Sequence, residues 1–295
     1  MKNRTTLFLT MLACATFISL NACKKDKAQE NTASTTPSTQ VCVPDSVFNP
    51  GAATGPRLIF KFKFDSTQAR LDNLGNPSTI PSSDAAQSPK FKLMSSHYLE
   101  LANDTDSLGR GQVLFVGTAT SAGGADAIDY CSSVIAKEND VFFSKPLSQI
   151  TPGTYKWLRV SLAYQSYEIT YKANAILGNH LGTDTLASFI GYNTYVKSYK
   201  INNVDYVPSS ATAGAGNHLQ GYWGFQTNVL GTNYFADGAA PAGATTVPNP
   251  LFASSPIPSG SCVVTGQFVD NTLTNSPLVI TGAETQDIVI TVSLS

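Results

Sequence analysis

The chain has 295 residues, of which only 13% are charged, and its net charge is −1. A charge so sparse and balanced leaves no basic footprint, so nucleic acid is excluded as a partner. Polarity rests instead on Ser, Thr, Asn, Gly and Tyr, a composition suited to an extracytoplasmic β protein.

Lys2 and Arg4 precede a short apolar run from Leu7 to Ile18, too brief to span a bilayer and typical of a secretory signal that is removed. The run closes in Leu20-Asn21-Ala22-Cys23, which resembles the lipobox of bacterial lipoprotein precursors. The resemblance implies a signal peptide over 1–22 and an acylated Cys23, palmitate being one such chain; Asn21 stands where a small residue is usual. Each buried methylene of these chains adds about 0.8 kcal/mol of membrane affinity. Lys24-Lys25-Asp26-Lys27 is similar to the tags of outer-membrane lipoproteins in Gram-negative bacteria, and no Asp follows Cys23 to favour the inner membrane. The expected location is therefore the cell outer membrane, with the bilayer as a partner through the lipid. Residues 28 to 40 hold no large apolar side chain, so 23–55 reads as a lipid-anchored flexible tether, of which the stretch from the anchor to residue 40 is about 23 Å long as a coil.

From residue 56 to 295 the hydrophobic period is two almost throughout. Phe60, Phe62 and Phe64 alternate with Lys61, Lys63 and Asp65, as in a half-buried strand. Phe91 to Leu101, Gln112 to Val116 and Val141 to Ser144 are further strands, with a Gly-rich stretch over 118–127. Pro152-Gly153 predicts a type II turn with positive φ at Gly153, leading into a strand. In that strand Leu158, Val160, Leu162 and Tyr164 share one phase and Tyr167, Ile169 and Tyr171 the other, which predicts a bulge near Gln165 and Ser166. A hairpin with Asn202-Asn203 at its turn follows, then long loops over 208–221 and 236–261 that flank Tyr222, Trp223 and Phe225. Cys262 to Val269 and Ile288 to Leu294 close the chain as strands, the last with Ile288, Ile290, Val292 and Leu294 inward. No further segment approaches 18 apolar residues. The expected fold is all-β: an antiparallel β-sandwich with long Gly/Ala/Ser/Pro-rich loops, with room for an inserted hairpin subdomain around 174–261.

The order of the Phe-rich strand, Ser95-Ser96-His97-Tyr98-Leu99-Glu100-Leu101, Pro152-Gly153-Thr154-Tyr155-Lys156-Trp157-Leu158 and Gly221-Tyr222-Trp223-Gly224-Phe225 distantly resembles MbnP-like lipoprotein domains. The resemblance implies a cell-envelope β-sandwich and, for some members, copper binding. His97 and Trp223 are the positions that match, and the further ligands are absent.

Candidate chemistry is thin. The cysteines outside the signal and anchor are Cys42, Cys131 and Cys262; one bridge is expected, preferably Cys131 with Cys262 because Cys42 adjoins the tether, with the other pairings open. His97 reads as a satisfied, half-buried histidine, a metal ligand only through the resemblance, and His180 and His218 as solvated turn residues. Glu100 and Glu168 are the strand carboxylates available to a glycosidase, and each reads equally as an outward-facing residue. Asp104 and Asp106 suggest a calcium loop, but Phe115 stands where the bidentate Glu belongs, and Asp126 and Asp129 are bland. No cofactor is expected; copper would enter through the resemblance and calcium through that loop. The tyrosines and Trp223 crowd the middle of the chain, and rings with polar tips stack on sugar faces or bind partners at low entropy cost. The reading is a non-catalytic ligand-binding or structural module contacting a glycan or envelope protein through Tyr222, Trp223 and Phe225. Its alternatives are an envelope copper-binding protein and a β-sandwich carbohydrate-active enzyme.

Overall fold

The computed structural model describes residues 44, 48–51, 54–65, 67, 69, 77–80, 82, 87–173, 180–208, 216–229, 231–240, 258 and 261–294. Cys23, Cys42 and most of the two long loops lie outside them. In chain order the strands begin with β1 (Arg57–Phe64), β2 (Lys90–Ala102), β3 (Gln112–Val116), β4 (Ala119–Thr120), β5 (Ala127–Asp129) and β6 (Val141–Pro146). There follow β7 (Gly153–Tyr155), β8 (Trp157–Ala173), β9 (His180–Phe189), β10 (Asn193–Tyr195), β11 (Tyr199–Ile201) and β12 (Val204–Tyr206). The last are β13 (Asn217–Leu219), β14 (Tyr222–Val229), β15 (Thr232–Gly238), β16 (Cys262–Gln267), β17 (Leu278–Ile280) and β18 (Ile288–Leu294). The fold is all-β, as the alternation predicted.

β8 organises the larger sheet, whose order is β15-β14-β9-β8-β2-β3 with β16 also paired to β8. One edge of β8 pairs with β2 from Trp157 to Glu168. The other edge is divided: β16 takes Trp157 to Leu162, and β9 takes Tyr164 to Ala173. Ala163 sits at the division, its carbonyl accepting the backbone N–H groups of Ile190 and Gly191 at 2.9 and 3.1 Å. The irregularity expected near Gln165 and Ser166 lies in the β2–β8 ladder, which shifts register opposite Ser166 and Tyr167 and again where Ala163 is left unpaired between Leu162 and Tyr164. The β8–β9 ladder is regular from Tyr164 onward, and on the β2 side the shifts fall at Phe91/Leu93, Ser95/Ser96 and Ser96/Tyr98. The apolar phase of β8 changes across these shifts: Leu158, Val160 and Leu162 lie in one core cluster and Tyr164 in another, while Tyr167, which meets Phe91 at the edge of the first cluster, Ile169 and Tyr171 are half-buried. Gly153 also departs from expectation. It is absent from the positive-φ residues and opens β7, paired with Ile280 of β17.

The facing sheet has the order β18-β1-β6. Phe60 pairs with Ile290 on one side and Phe143 on the other. Phe60 and Phe62 are buried with Leu99, Leu101, Leu158, Val160 and Phe142, and Ile288, Ile290, Val292 and Leu294 pack with this cluster, as the sequence indicated. The β1–β18 and β5–β10 pairs are parallel, in a fold whose other pairs are antiparallel. Parallel neighbours need a long connection, and β1 and β18 are the first and last strands.

A second cluster lies under the β11–β12 hairpin and is built from Tyr130, Tyr164, Phe189, Tyr199, Tyr206, Tyr222 and Phe235. Asn202 and Asn203 turn that hairpin at φ 49° and 66°, the left-handed pair that a two-residue hairpin loop needs. Tyr206 stacks on Phe235 at 3.8 Å between centroids, and a side chain at Gly224 would collide with the Tyr199 hydroxyl.

The favoured disulfide is corrected. Cys262 is a free thiol, whereas Cys131 is disulfide-bonded to a partner outside the described residues. Cys262 faces Leu162 across the β16–β8 ladder, while Cys131 sits in the 3-10 turn Tyr130–Ser132 against the second cluster. Burial pushes the Cys262 thiol up to about 11.

Glu100 is likewise not the outward-facing residue that alternation suggested. It is fully buried and pairs with Arg159 at 3.4 Å. Its carboxylate also accepts the Tyr98 hydroxyl at 3.1 Å and the backbone N–H groups of Gly109 and Gly111 at 3.0 and 2.7 Å. Arg159 in turn donates to the carbonyls of Asp106 and Ser107. The pair thus ties the 103–111 loop to β2 and β8. Removing one member strands the other without compensation, so Glu100→Ala is expected to lower unfolding stability by about 3–5 kcal/mol. Chemical denaturation measures this, and a loss below about 1 kcal/mol would show that the pair does not hold the loop.

Candidate functional site

β14 pairs with β9 and β15 without irregularity, so its side chains alternate strictly between the two faces. Tyr222 therefore parts company with Trp223 and Phe225. It is 2% exposed, lies 5.4 Å from Phe189 between ring centroids, and is stacked by His218 at 3.9 Å. Its hydroxyl donates to Asp237 at 2.7 Å and lies 3.3 Å from the Tyr199 hydroxyl. Burial, reinforced by Tyr199 and Asp237, holds this phenol far above its usual range. Tyr222 is a core residue, and it leaves the predicted contact trio.

Trp223 and Phe225 share the opposite face and are half-buried. Across the sheet, one rung reads Gln165, Ser188, Trp223, Gly238 and the next Tyr167, Leu186, Phe225, Ala236. The indole N–H of Trp223 donates to the Ala239 carbonyl at 3.2 Å, and the ring leans over Gly238, where a Cβ would come within 3.1 Å of it. Tyr171 leans over Gly182 in the same way, its hydroxyl bonded to that of Thr227 and its ring meeting Phe225 edge-on at 5.2 Å. Burial raises the Tyr167 phenol against the opposing influence of Ser188 and Gln165. Two rungs of rings and small uncharged groups result, with no ionic side chain among them. Tyr167 and Tyr171 belonged to the crowd of tyrosines in the sequence but not to its contact trio, and Leu186 and Ser188 were not named at all. Tyr167 and Tyr171 share a phase in β8, but only strand pairing brings them beside β14.

The remaining candidates are placed as follows. His97 is 5% exposed, meets Tyr192 edge-on at 5.5 Å, and has no hydrogen-bond partner on either ring nitrogen. It is thus more deeply buried than expected and unsatisfied. Burial pushes its imidazole down to about 4. His218, expected in a solvated turn, lies on β13 with 2% exposure, stacked on Tyr222, its ring nitrogens also unpartnered. Burial lowers its pKa against the opposing pull of Asp237. His180 begins β9.

His97 on β2 and Trp223 on β14 are three strand intervals apart in the sheet, about 14 Å. The matched pair is not brought together. Among the described residues no group of three or more His, Cys, Asp or Glu side chains is placed to hold a metal. Asp104 binds Lys156 and the Trp157 indole, and Asp106 accepts the Asn103 N–H at 2.7 Å. Asp129 caps the turn at Cys131, Asp126 accepts the Tyr192 hydroxyl at 3.4 Å, and Glu168 pairs with Lys92 at 2.9 Å. No protein-family profile, curated protein or solved structure matches the chain.

The buried histidines set a pH dependence. The His97 imidazole protonates near 6.5 when unfolded but near 4 when folded, so the unfolded chain takes up the proton first. Its contribution is fully present above pH 6.5 and is lost as pH falls toward 4, in total about 3 kcal/mol. His218 acts with the same sign. Denaturation curves between pH 7 and 5 are expected to show falling stability that flattens in His97→Leu; an unchanged slope in that variant would contradict the assignment.

Proposed function

We propose that the chain is a lipid-anchored protein of the cell outer membrane that acts as a non-catalytic ligand-binding or structural module, meeting its partner through the face around Trp223 and Phe225. The anchoring half of this reading rests on Lys2, Arg4, the apolar run and Leu20-Asn21-Ala22-Cys23. The contact half rests on one observation: two adjoining rungs of a four-strand surface carry half-buried rings and no charge. Aromatic bodies with few rotamers give contact area at low entropy cost. A non-catalytic role is supported by the carboxylates considered for hydrolysis. Glu100 is held by four donors inside the fold and Glu168 is paired with Lys92, on neighbouring strands rather than across a cleft.

Expression in a Gram-negative host with labelled palmitate tests the anchor. Label is expected on the wild-type protein in the outer-membrane fraction and absent from Cys23→Ala. An unlabelled wild type that retains its amino terminus would overturn the reading.

A further inference from the structure

We infer that the ligand of the Trp223 face is a neutral glycan chain lying across the strands. This rests on the binding role proposed above and adds the class of ligand. The charge pattern comes first. The two rungs Gln165-Ser188-Trp223-Gly238 and Tyr167-Leu186-Phe225-Ala236 contain no Lys, Arg, Asp or Glu, and the carboxylate of the adjoining rung, Asp184, is engaged by the N–H groups of Thr185 and Asn228 and the Asn202 amide. An anionic polymer needs cations at its contact surface, and a cationic one needs carboxylates. An uncharged ligand is what this surface complements.

The polar tips of the rings point to the same chemistry. The Trp223 N–H is bonded to the Ala239 carbonyl and the Tyr171 hydroxyl to Thr227. With these two tips bonded to the protein itself, the Trp223 and Tyr171 rings are held in place and offer their carbon surface. Trp223 and Tyr171 lean over Gly238 and Gly182, so they lie along the sheet rather than standing away from it. Protein partners favour an aromatic anchor in a well-packed pocket. A leaning, locked ring suits a flat ligand instead, and the axial C–H face of a pyranose is flat, apolar and uncharged. Gln165 and Ser188, beside the rings, are the neutral amide and hydroxyl that sugar hydroxyls pair with.

Extent decides between a monosaccharide and a chain. From Tyr167 on β8 to Ala236 on β15 the rung crosses three strand intervals, about 14 Å. That width takes several sugar units.

Full-length protein extracted in detergent, carrying Trp157→Phe so that Trp223 is the sole tryptophan, is titrated with xyloglucan, laminarin and dextran, and separately with alginate and heparin. At least one neutral polysaccharide is expected to shift Trp223 emission. The same polysaccharide, read by retardation in an affinity gel, is expected to bind Trp223→Ala about tenfold more weakly. Gln165→Ala, which leaves the rings in place, is expected to weaken binding less. A Trp223-dependent response to alginate or heparin alone would overturn the neutral ligand while leaving the contact face standing. No Trp223-dependent response to any probe, in protein whose circular dichroism matches wild type, would overturn the glycan assignment altogether, whatever the palmitate result.

Discussion

The structure depends on the two-sided pairing of β8. From Trp157 to Leu162 and again from Tyr164 to Glu168, each residue of this strand has a partner on both edges. A strand in the middle of a sheet has every backbone donor and acceptor satisfied without water, which lets both of its faces be buried. Both faces are buried from Leu158 to Ala163. That places the phenylalanine core on one side and the Glu100–Arg159 pair, with its loop, on the other. Beyond Ala163 the neighbour changes from β16 to β9, and the sheet turns toward β14, β15 and the aromatic face.

The two cores differ in chemistry as a result. The first is aliphatic and phenylalanine-rich and stabilises by burial of apolar area. The second is dominated by tyrosine, so its hydroxyls need partners: Tyr222 finds Asp237 and Tyr199 finds Tyr222. Of the two buried histidines without hydrogen bonds, His218 stacks on Tyr222 in this half and His97 lies on β2 against Tyr192; desolvation lowers the pKa of both. His218 makes that half sensitive to acid, whereas the first cluster is built of side chains that take up no proton in acid.

Much of the fold was legible because period two is a local property. Phe60, Phe62 and Ile290 announced their inward faces, and Asn202-Asn203 announced a hairpin. What failed was information carried by pairing. Ala163 is unremarkable in sequence, yet its carbonyl marks where one edge of β8 passes from β16 to β9. The shift of phase in β8 did signal irregular pairing, but only the β2 partner shows that it falls at Ala163 and opposite Ser166 and Tyr167. Glu100 alternates like a surface residue, and only Arg159 and the returning glycines 109 and 111 make its burial tolerable. At the candidate site, Trp223 and Phe225 were identifiable as neighbours in the chain, but their separation from Tyr222 follows from strand geometry, and their companions Tyr167 and Tyr171 come from 50 or so residues earlier. His218 follows Gly216-Asn217, a turn signature, and is buried because β13 pairs with β10.

Native-state hydrogen exchange resolved by residue tests the central role of β8 most directly. The amides from Leu158 to Glu168 are expected to exchange only through global unfolding, at the slowest rates in the molecule, with β16 and β15 opening earlier. Slowest exchange confined to β1 and β18, with β8 amides released by local opening, would contradict the account.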